Sequence, residues 1–266
     1  MKVSLLQRDV IWADPRGNAA ANSAIMDSLR GTDLFVLPEM FSTGFATEPD
    51  GIAEELDENG ECFTLRWMKK EAELLNCAVC GSVAVKERDG RFFNRLYFVT
   101  PDMCFSYDKH HLFTYGGETK NYSAGQEKVI VVWKGVKILL QVCYDVRFPV
   151  FVRNGIAEDG NPEYDAIIYV ASWPAKRVPA WKKLLPARAI ENQCYVLAVN
   201  RVGNDPACEY IGGTMIIDAM GNVVDSCPDA KETSISAELD MEALNRFRQK
   251  FPVLEDADPF CILPRN

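Results

Sequence analysis

The chain has 266 residues, 48% hydrophobic and 25% charged, which is ordinary globular usage and excludes a mainly disordered polypeptide. Its 29 basic and 38 acidic residues leave a formal charge of −9, so phosphate backbones and anionic membrane surfaces would repel it, and neither nucleic acid nor membrane is expected as a partner. Nine cysteines are scattered without framework spacing, and Cys77, Cys80, Cys143 and Cys194 lie inside apolar runs, as reduced thiols of a cytoplasmic protein would.

The segment Met1 to Asp9 turns to charge too early for a signal-peptide core or a membrane span, and its Val3–Gln7 part reads as a first strand. A helix over Asn18–Leu29 and a strand over Asp33–Leu37 follow, the strand running into Pro38 and Glu39. Cys62–Leu75 has the helical period, with Phe63, Leu65, Met68, Ala72 and Leu75 on its inner side. Cys77–Val85 and Phe92–Val99 form a hairpin about Arg88-Asp89-Gly90, and Pro101-Asp102 turns into Cys104–Lys109. Val129–Trp133 and Val136–Val142 flank Lys134-Gly135 as a second hairpin.

Helix and strand then alternate: a helix Pro149–Glu158, a buried strand Ala166–Val170, a helix Ala180–Asn192 and a strand Cys194–Val199. Pro186 should kink or restart the second of these helices, because it removes one backbone donor. Met215–Asp218, a turn at Met220-Gly221-Asn222 and Ser234–Leu239 are expected to close the sheet, and Asp240 caps a helix to about Lys250. No repeat or linker interrupts this pattern, which predicts one α/β domain over 1–266, with a Pro- and Asp-rich tail from about residue 251 that has no obvious partner in the chain.

In α/β folds ligands gather at the carboxyl ends of strands. Glu39, Lys109, Cys143 and Ser172-Trp173 each follow an apolar run, so a carboxylate, a cation and a thiol could converge on one rim. A cysteine after a Val/Leu run is ordinarily an inert buried thiol, but Tyr144-Asp145 and Arg147 end the strand in a polar turn. A nucleophile there is exposed, and the Tyr144 N–H can face a developing oxyanion. The histidines His110 and His111 are the alternative bases, and on an extended segment they would point to opposite faces. Cys77 and Cys80 would likewise face opposite sides of a strand and could not chelate zinc together, so no metal is expected.

Unperturbed thiol and carboxylate pKa values of about 8.5 and 4.3 put proton transfer to Glu39 roughly 6 kcal/mol uphill. A nearby Lys109 ammonium would lower the thiol's pKa and desolvation would raise the glutamate's, which makes the Cys, Glu and Lys a coherent set without histidine.

Three segments carry a family resemblance across nearly the whole chain: Leu37-Pro38-Glu39-Met40-Phe41-Ser42-Thr43-Gly44-Phe45, Tyr107-Asp108-Lys109-His110-His111-Leu112-Phe113 and Val142-Cys143-Tyr144-Asp145-Val146-Arg147-Phe148-Pro149. They resemble the glutamate, lysine and nucleophile segments of the nitrilase, or carbon–nitrogen hydrolase, superfamily. Ser172-Trp173-Pro174 and Ala187-Arg188-Ala189-Ile190-Glu191-Asn192-Gln193 are most similar to its omega-amidase (2-oxoglutaramate amidase) branch. The resemblance implies a four-layer α-β-β-α sandwich with two mixed sheets, a homodimer or higher homo-oligomer paired through helices, and no cofactor.

It also implies a thioester mechanism on a small amide substrate: Cys143 as nucleophile, Glu39 as base, Lys109 with the Tyr144 N–H as oxyanion site, and Glu118 as a second glutamate beside the lysine. Phe45, Tyr115, Trp173 and Arg177 fall near family positions that line the cleft, where an arginine would suit a substrate carboxylate. The expected activity is hydrolysis of a small ω-amido acid. The alternatives are another small-amide or N-carbamoyl amino acid hydrolase, or a non-catalytic interaction protein. Two departures from the family pattern bear on substrate preference: Pro186 falls inside an expected helix, and Gly212-Gly213-Thr214 stands where close relatives tend to have Gly-Asp-Ser, so a polar contact made by that aspartate is missing.

Overall fold

Strands buried on both faces read as continuous apolar runs, and Lys2–Gln7, Ala166–Ala171 and Tyr195–Asn200 are buried along essentially their whole length. The computed structural model describes residues 1–263 and gathers its strands into two mixed sheets with helices outside them. The first runs Thr233–Glu238, Lys2–Gln7, Leu34–Val36, Ala78–Lys86, Phe92–Val99 and Cys104–Asp108, with Glu54–Glu55 beside Ala78–Lys86. The second runs Val223–Ser226, Met215–Ile217, Tyr195–Asn200, Ala166–Ala171, Val136–Val142 and Ile130–Trp133. Each has three parallel strands at its centre with antiparallel strands outside them, and Glu54–Glu55 adds a short parallel pairing to Ala78–Lys86 in the first.

The two-residue period sorts side chains between layers. Ala78 and Cys80 join the cluster that links the sheets, with Val3, Leu5, Phe98, Ile138 and Leu140; Cys77 and Val79 face the other way, toward Met26, Leu65, Met68 and Ala72 of the helices Pro15–Ser28 and Phe63–Leu75. The helix Val178–Asn192 packs on the second sheet through Trp181, Leu185 and Ala189, and Leu244 of Met241–Lys250 joins the same cluster. This is the expected α-β-β-α sandwich. No helix among the described residues is long and apolar enough to cross a membrane.

Several sequence expectations need correction. The closing strands do not close one sheet: Met215–Ile217 pairs in the second, while Thr233–Glu238 returns to the first, antiparallel to Lys2–Gln7. The first helix begins at Pro15, whose ring suits the first helical position, and Asp14 accepts the Gly17 N–H at 2.9 Å. The helix after Cys143 spans only Pro149–Val152, because Asn154 turns inward and bonds the Tyr164 and Asn192 carbonyls. Val178–Asn192 continues through Pro186 without a restart. The Val223–Ser226 strand and the small hairpin Val202–Asn204 with Glu209–Ile211 went unread. In the tail, Leu254 is buried and the Phe251 carbonyl accepts a hydrogen bond from Gln193, so that segment does have partners; residues 264–266 lie outside the described residues.

Candidate active site

The sheet topology decides which strand ends share an edge. Cys104–Asp108 is antiparallel to Phe92–Val99, which is antiparallel to Ala78–Lys86, so it runs the same way as Leu34–Val36. Glu39 and Lys109 therefore leave the first sheet on one side. Val136–Val142 and Ala166–Ala171 are parallel, so Cys143 and Ser172 leave the second sheet together. The expected rim is a seam between two sheets rather than the edge of one.

At that seam the Lys109 ammonium is fully buried between two carboxylates, 2.9 Å from Glu39 Oε1 and 2.8 Å from Glu118 Oε2. Asn94 Nδ2 donates to both, at 2.8 Å to Glu39 Oε1 and 3.1 Å to Glu118 Oε1. The Ser172 N–H holds the other Glu39 oxygen at 2.8 Å, and the Phe113 N–H holds Glu118 Oε2 at 2.7 Å. Glu118, which the local sequence alone would give as a surface loop carboxylate, is thus an interior group beside Lys109. Burial opposes the Lys109 charge, but Glu118 and Glu39 outweigh it and hold the ammonium protonated well above the ordinary lysine range. For Glu118, burial outweighs the attraction of Lys109 and raises its pKa.

Cys143 follows Val142 at once and adopts φ +46°, a left-handed conformation that a non-glycine residue keeps only when its surroundings enforce it. The chain turns there into the single turn Cys143–Arg147. Contrary to the sequence expectation, the thiol is not acidified: burial, then the negative field of Glu39, outweigh Lys109 and push it well above its ordinary value. His110 and His111 do not diverge either, since the chain bends past the strand and their rings meet edge-on at 4.5 Å. His111 is engaged with Asp145 through Nδ1, at 2.8 Å.

Cys143 also lines a cavity of about 190 Å³, together with Phe45, Tyr115, Tyr144, Trp173 and Arg177. The structure therefore brings every pocket residue named from the sequence to one opening. The Phe45 ring lies 5.3 Å from Lys109 Nζ, joining the cavity to the buried cluster. The Arg177 guanidinium lies 5.1 Å from the Phe113 ring and 4.9 Å from the largely exposed Tyr115 ring, so it also holds that strap in place. Trp173 donates its ring N–H to the Arg177 carbonyl at 2.7 Å.

Sequence reasoning missed several members of the site. Arg147 lines the cavity with its guanidinium 4.9 Å from the Trp173 ring, and Asp205, Cys208 and Tyr210 reach it from the small hairpin. Asn94 carried one signal, a polar residue inside an aromatic strand; the hairpin residues carried none, because they meet the cavity only through folding. At the Gly213 departure, the Gly213 carbonyl accepts the Trp181 ring N–H at 2.9 Å, and Thr214 exchanges hydrogen bonds with Asn200, which fastens Trp173 in turn.

Two mixed sheets sandwiched between helices, with a cysteine, a lysine and two glutamates gathered where the sheets meet, define a nitrilase-like hydrolase. A family model for carbon-nitrogen hydrolases matches residues 2–249, and the chain belongs to that family. It is an amidase-type enzyme, 40% identical over 265 residues to the omega-amidase YafV of Yersinia enterocolitica, covering 99% of each chain. It is 34% identical over 258 residues to the 2-oxoglutaramate amidase of Bacillus subtilis, covering 96% of each. Among solved structures it resembles XC1258 from Xanthomonas campestris, a CN-hydrolase superfamily protein carrying an arsenic adduct in its active site, with a TM-score of 0.93, 40% identity and 98% of both chains covered.

Proposed function

We propose that this amidase releases ammonia from the terminal amide of a small ω-amido acid such as 2-oxoglutaramate, through a thioester on Cys143. The observation that carries the reading is that Cys143 belongs at once to the field of the buried Glu39–Lys109–Glu118 cluster and to a small cavity that also holds Arg147 and Arg177. The names borne by the relatives point to the same substrate class.

In this mechanism Sγ attacks the amide carbonyl carbon as its proton passes to Glu39. The tetrahedral oxyanion is held by the Lys109 ammonium and the Tyr144 N–H. The C–N bond then breaks, Glu39 returns the proton to the departing nitrogen, and ammonia leaves. Glu39 next takes a proton from water as that water attacks the thioester, and the thiolate is reprotonated as the acid leaves. Glu118 keeps Lys109 charged and in place. Phe45, Tyr115, Tyr144 and Trp173 enclose the chain of the substrate, and Arg177 pairs with its far carboxylate. The working form is a homodimer or higher homo-oligomer.

An ammonia-release screen over ω-amides, N-carbamoyl amino acids and nitriles tests the reading, with Cys143→Ala as control. Release from ω-amido acids by the wild type and none by the variant is expected. Preference for N-carbamoyl substrates or nitriles would overturn the substrate class, and no turnover on any of them would favour an interaction protein. Arg177→Ala, compared with wild type on succinamic acid and butyramide, should lose roughly 10- to 150-fold in kcat/KM on the acid alone, the worth of a charge-assisted pair. Equal losses on both substrates would reduce Arg177 to a support of the Phe113–Tyr115 strap and leave the carboxylate to Arg147.

A further inference from the structure

Behind Cys143, Asp145 is wholly buried and faces three donors and the His111 ring nitrogen, two partners at each oxygen. Oδ2 accepts the Val142 N–H at 3.0 Å and the Tyr107 hydroxyl at 2.8 Å; Oδ1 accepts the His111 N–H at 2.9 Å and meets His111 Nδ1 at 2.8 Å. A hydroxyl can rotate and an imidazole can change tautomer, but a backbone N–H can only donate. Each carboxyl oxygen of Asp145 has one such backbone donor, so both must accept, which two oxygens can do and the NH₂ of an amide cannot. An asparagine would set its NH₂ against the Val142 N–H or, turned over, against the His111 N–H.

The two backbone donors lie on segments that leave different sheets. Val142 ends the strand before Cys143, and His111 lies two residues past Lys109. One carboxylate therefore ties the cysteine turn to the lysine segment. The turn needs such a tie, because Cys143 sits at φ +46°.

Building on the reading of Cys143 as nucleophile, we propose that Asp145 is a positioning residue that registers the Cys143 turn against the Lys109 segment. It keeps the thiol and the Tyr144 N–H aligned with Glu39 and Lys109 without touching substrate.

The test compares wild type, Asp145→Asn and Tyr107→Phe for ammonia release from succinamic acid and for the pH profile of Cys143 alkylation by iodoacetamide. Wild type must first release ammonia and lose it on one-to-one labelling of Cys143; failure there removes the nucleophile reading and leaves the tie between the segments standing. Given that, Asp145→Asn should lose about 100-fold in kcat per folded site, with KM within about threefold and a displaced alkylation profile, as expected of a misplaced reacting group. Wild-type kcat per folded site together with a lowered melting temperature would overturn the proposal, because Asp145 would then serve only stability. Should Asp145→Asn not fold, Tyr107→Phe, which removes the hydroxyl that donates to Asp145 Oδ2 and accepts the His110 N–H at 3.2 Å, decides: a kcat loss of roughly tenfold at unchanged KM supports the proposal. Unchanged kcat and a wild-type alkylation profile in that variant overturn it.

Discussion

Nothing in the resting site ionises the Cys143 thiol: burial and then Glu39 act against the thiolate, and Lys109 does not compensate. In the proposed mechanism the proton must therefore move as the carbonyl is attacked. Because the raised pKa keeps the neutral thiol dominant at neutral pH, alkylation of Cys143 in the ligand-free enzyme should still be rising past the ordinary thiol range near 8.5. Peptide mapping is the measurement, since the exposed Cys104 and Cys261 will also react, whereas burial pushes Cys62, Cys77 and Cys227 up to about 12. A plateau below pH 8 would show a preformed thiolate. Lys109→Met should cost at least about 10³-fold in kcat, by analogy with the loss of an oxyanion donor. It also leaves Glu39 and Glu118 facing one another without their cation, so a stability loss of about 3–5 kcal/mol by denaturant unfolding should accompany it.

Connections between elements set the rim of the cavity. Asn200, at the end of Tyr195–Asn200, donates to the Trp173 and Gly212 carbonyls and so ties the segment after Ala166–Ala171 to the Gly212–Thr214 turn. Gly213 adopts φ +97°, and a Cβ there would stand 3.3 Å from the Trp181 ring, so this turn is shaped for glycine. Gly213→Asp, which supplies the aspartate that the family resemblance leads one to expect there, should therefore lower stability by about 1–3 kcal/mol, the cost of a side chain held in a sparsely populated backbone region. Thermal unfolding checks this. A variant as stable as wild type would mean that the turn relaxes and that the aspartate contact can be restored.

At the level of the whole molecule, one apolar cluster joins the two sheets, and the seam at its edge holds the site. Phe98, fully buried in that cluster, should cost about 3–5 kcal/mol on truncation to Ala, read from denaturant midpoints, and activity should fall with the folded fraction. A much smaller loss would mean that the sheets close over the space. The proposed pairing of protomers predicts sedimentation at twice the protomer mass or more at micromolar concentration; a monomer with full ammonia-releasing activity would remove dimerisation from the requirements of the site.

Cys143 directly follows an apolar strand and Glu39 comes three residues past another, so the change from buried run to polar turn is a local signal for both; the strand before Lys109 is mixed, and Lys109 was legible mainly through its family segment. The helix caps at Asp14 and Asp240 are local too. The sequence by itself determined strand and helix periods and which residues end the strands, since those follow from neighbours along the chain. Tertiary structure alone decided that the strand ends belong to two sheets, that Asn94 holds the Glu39 and Glu118 carboxylates around Lys109, and that Asp145 bridges Val142 to His111. Each of those facts depends on burial and on contact between distant segments, and the thiol's rise against the expected fall has the same origin: desolvation is a property of the packed interior, which no stretch of sequence contains.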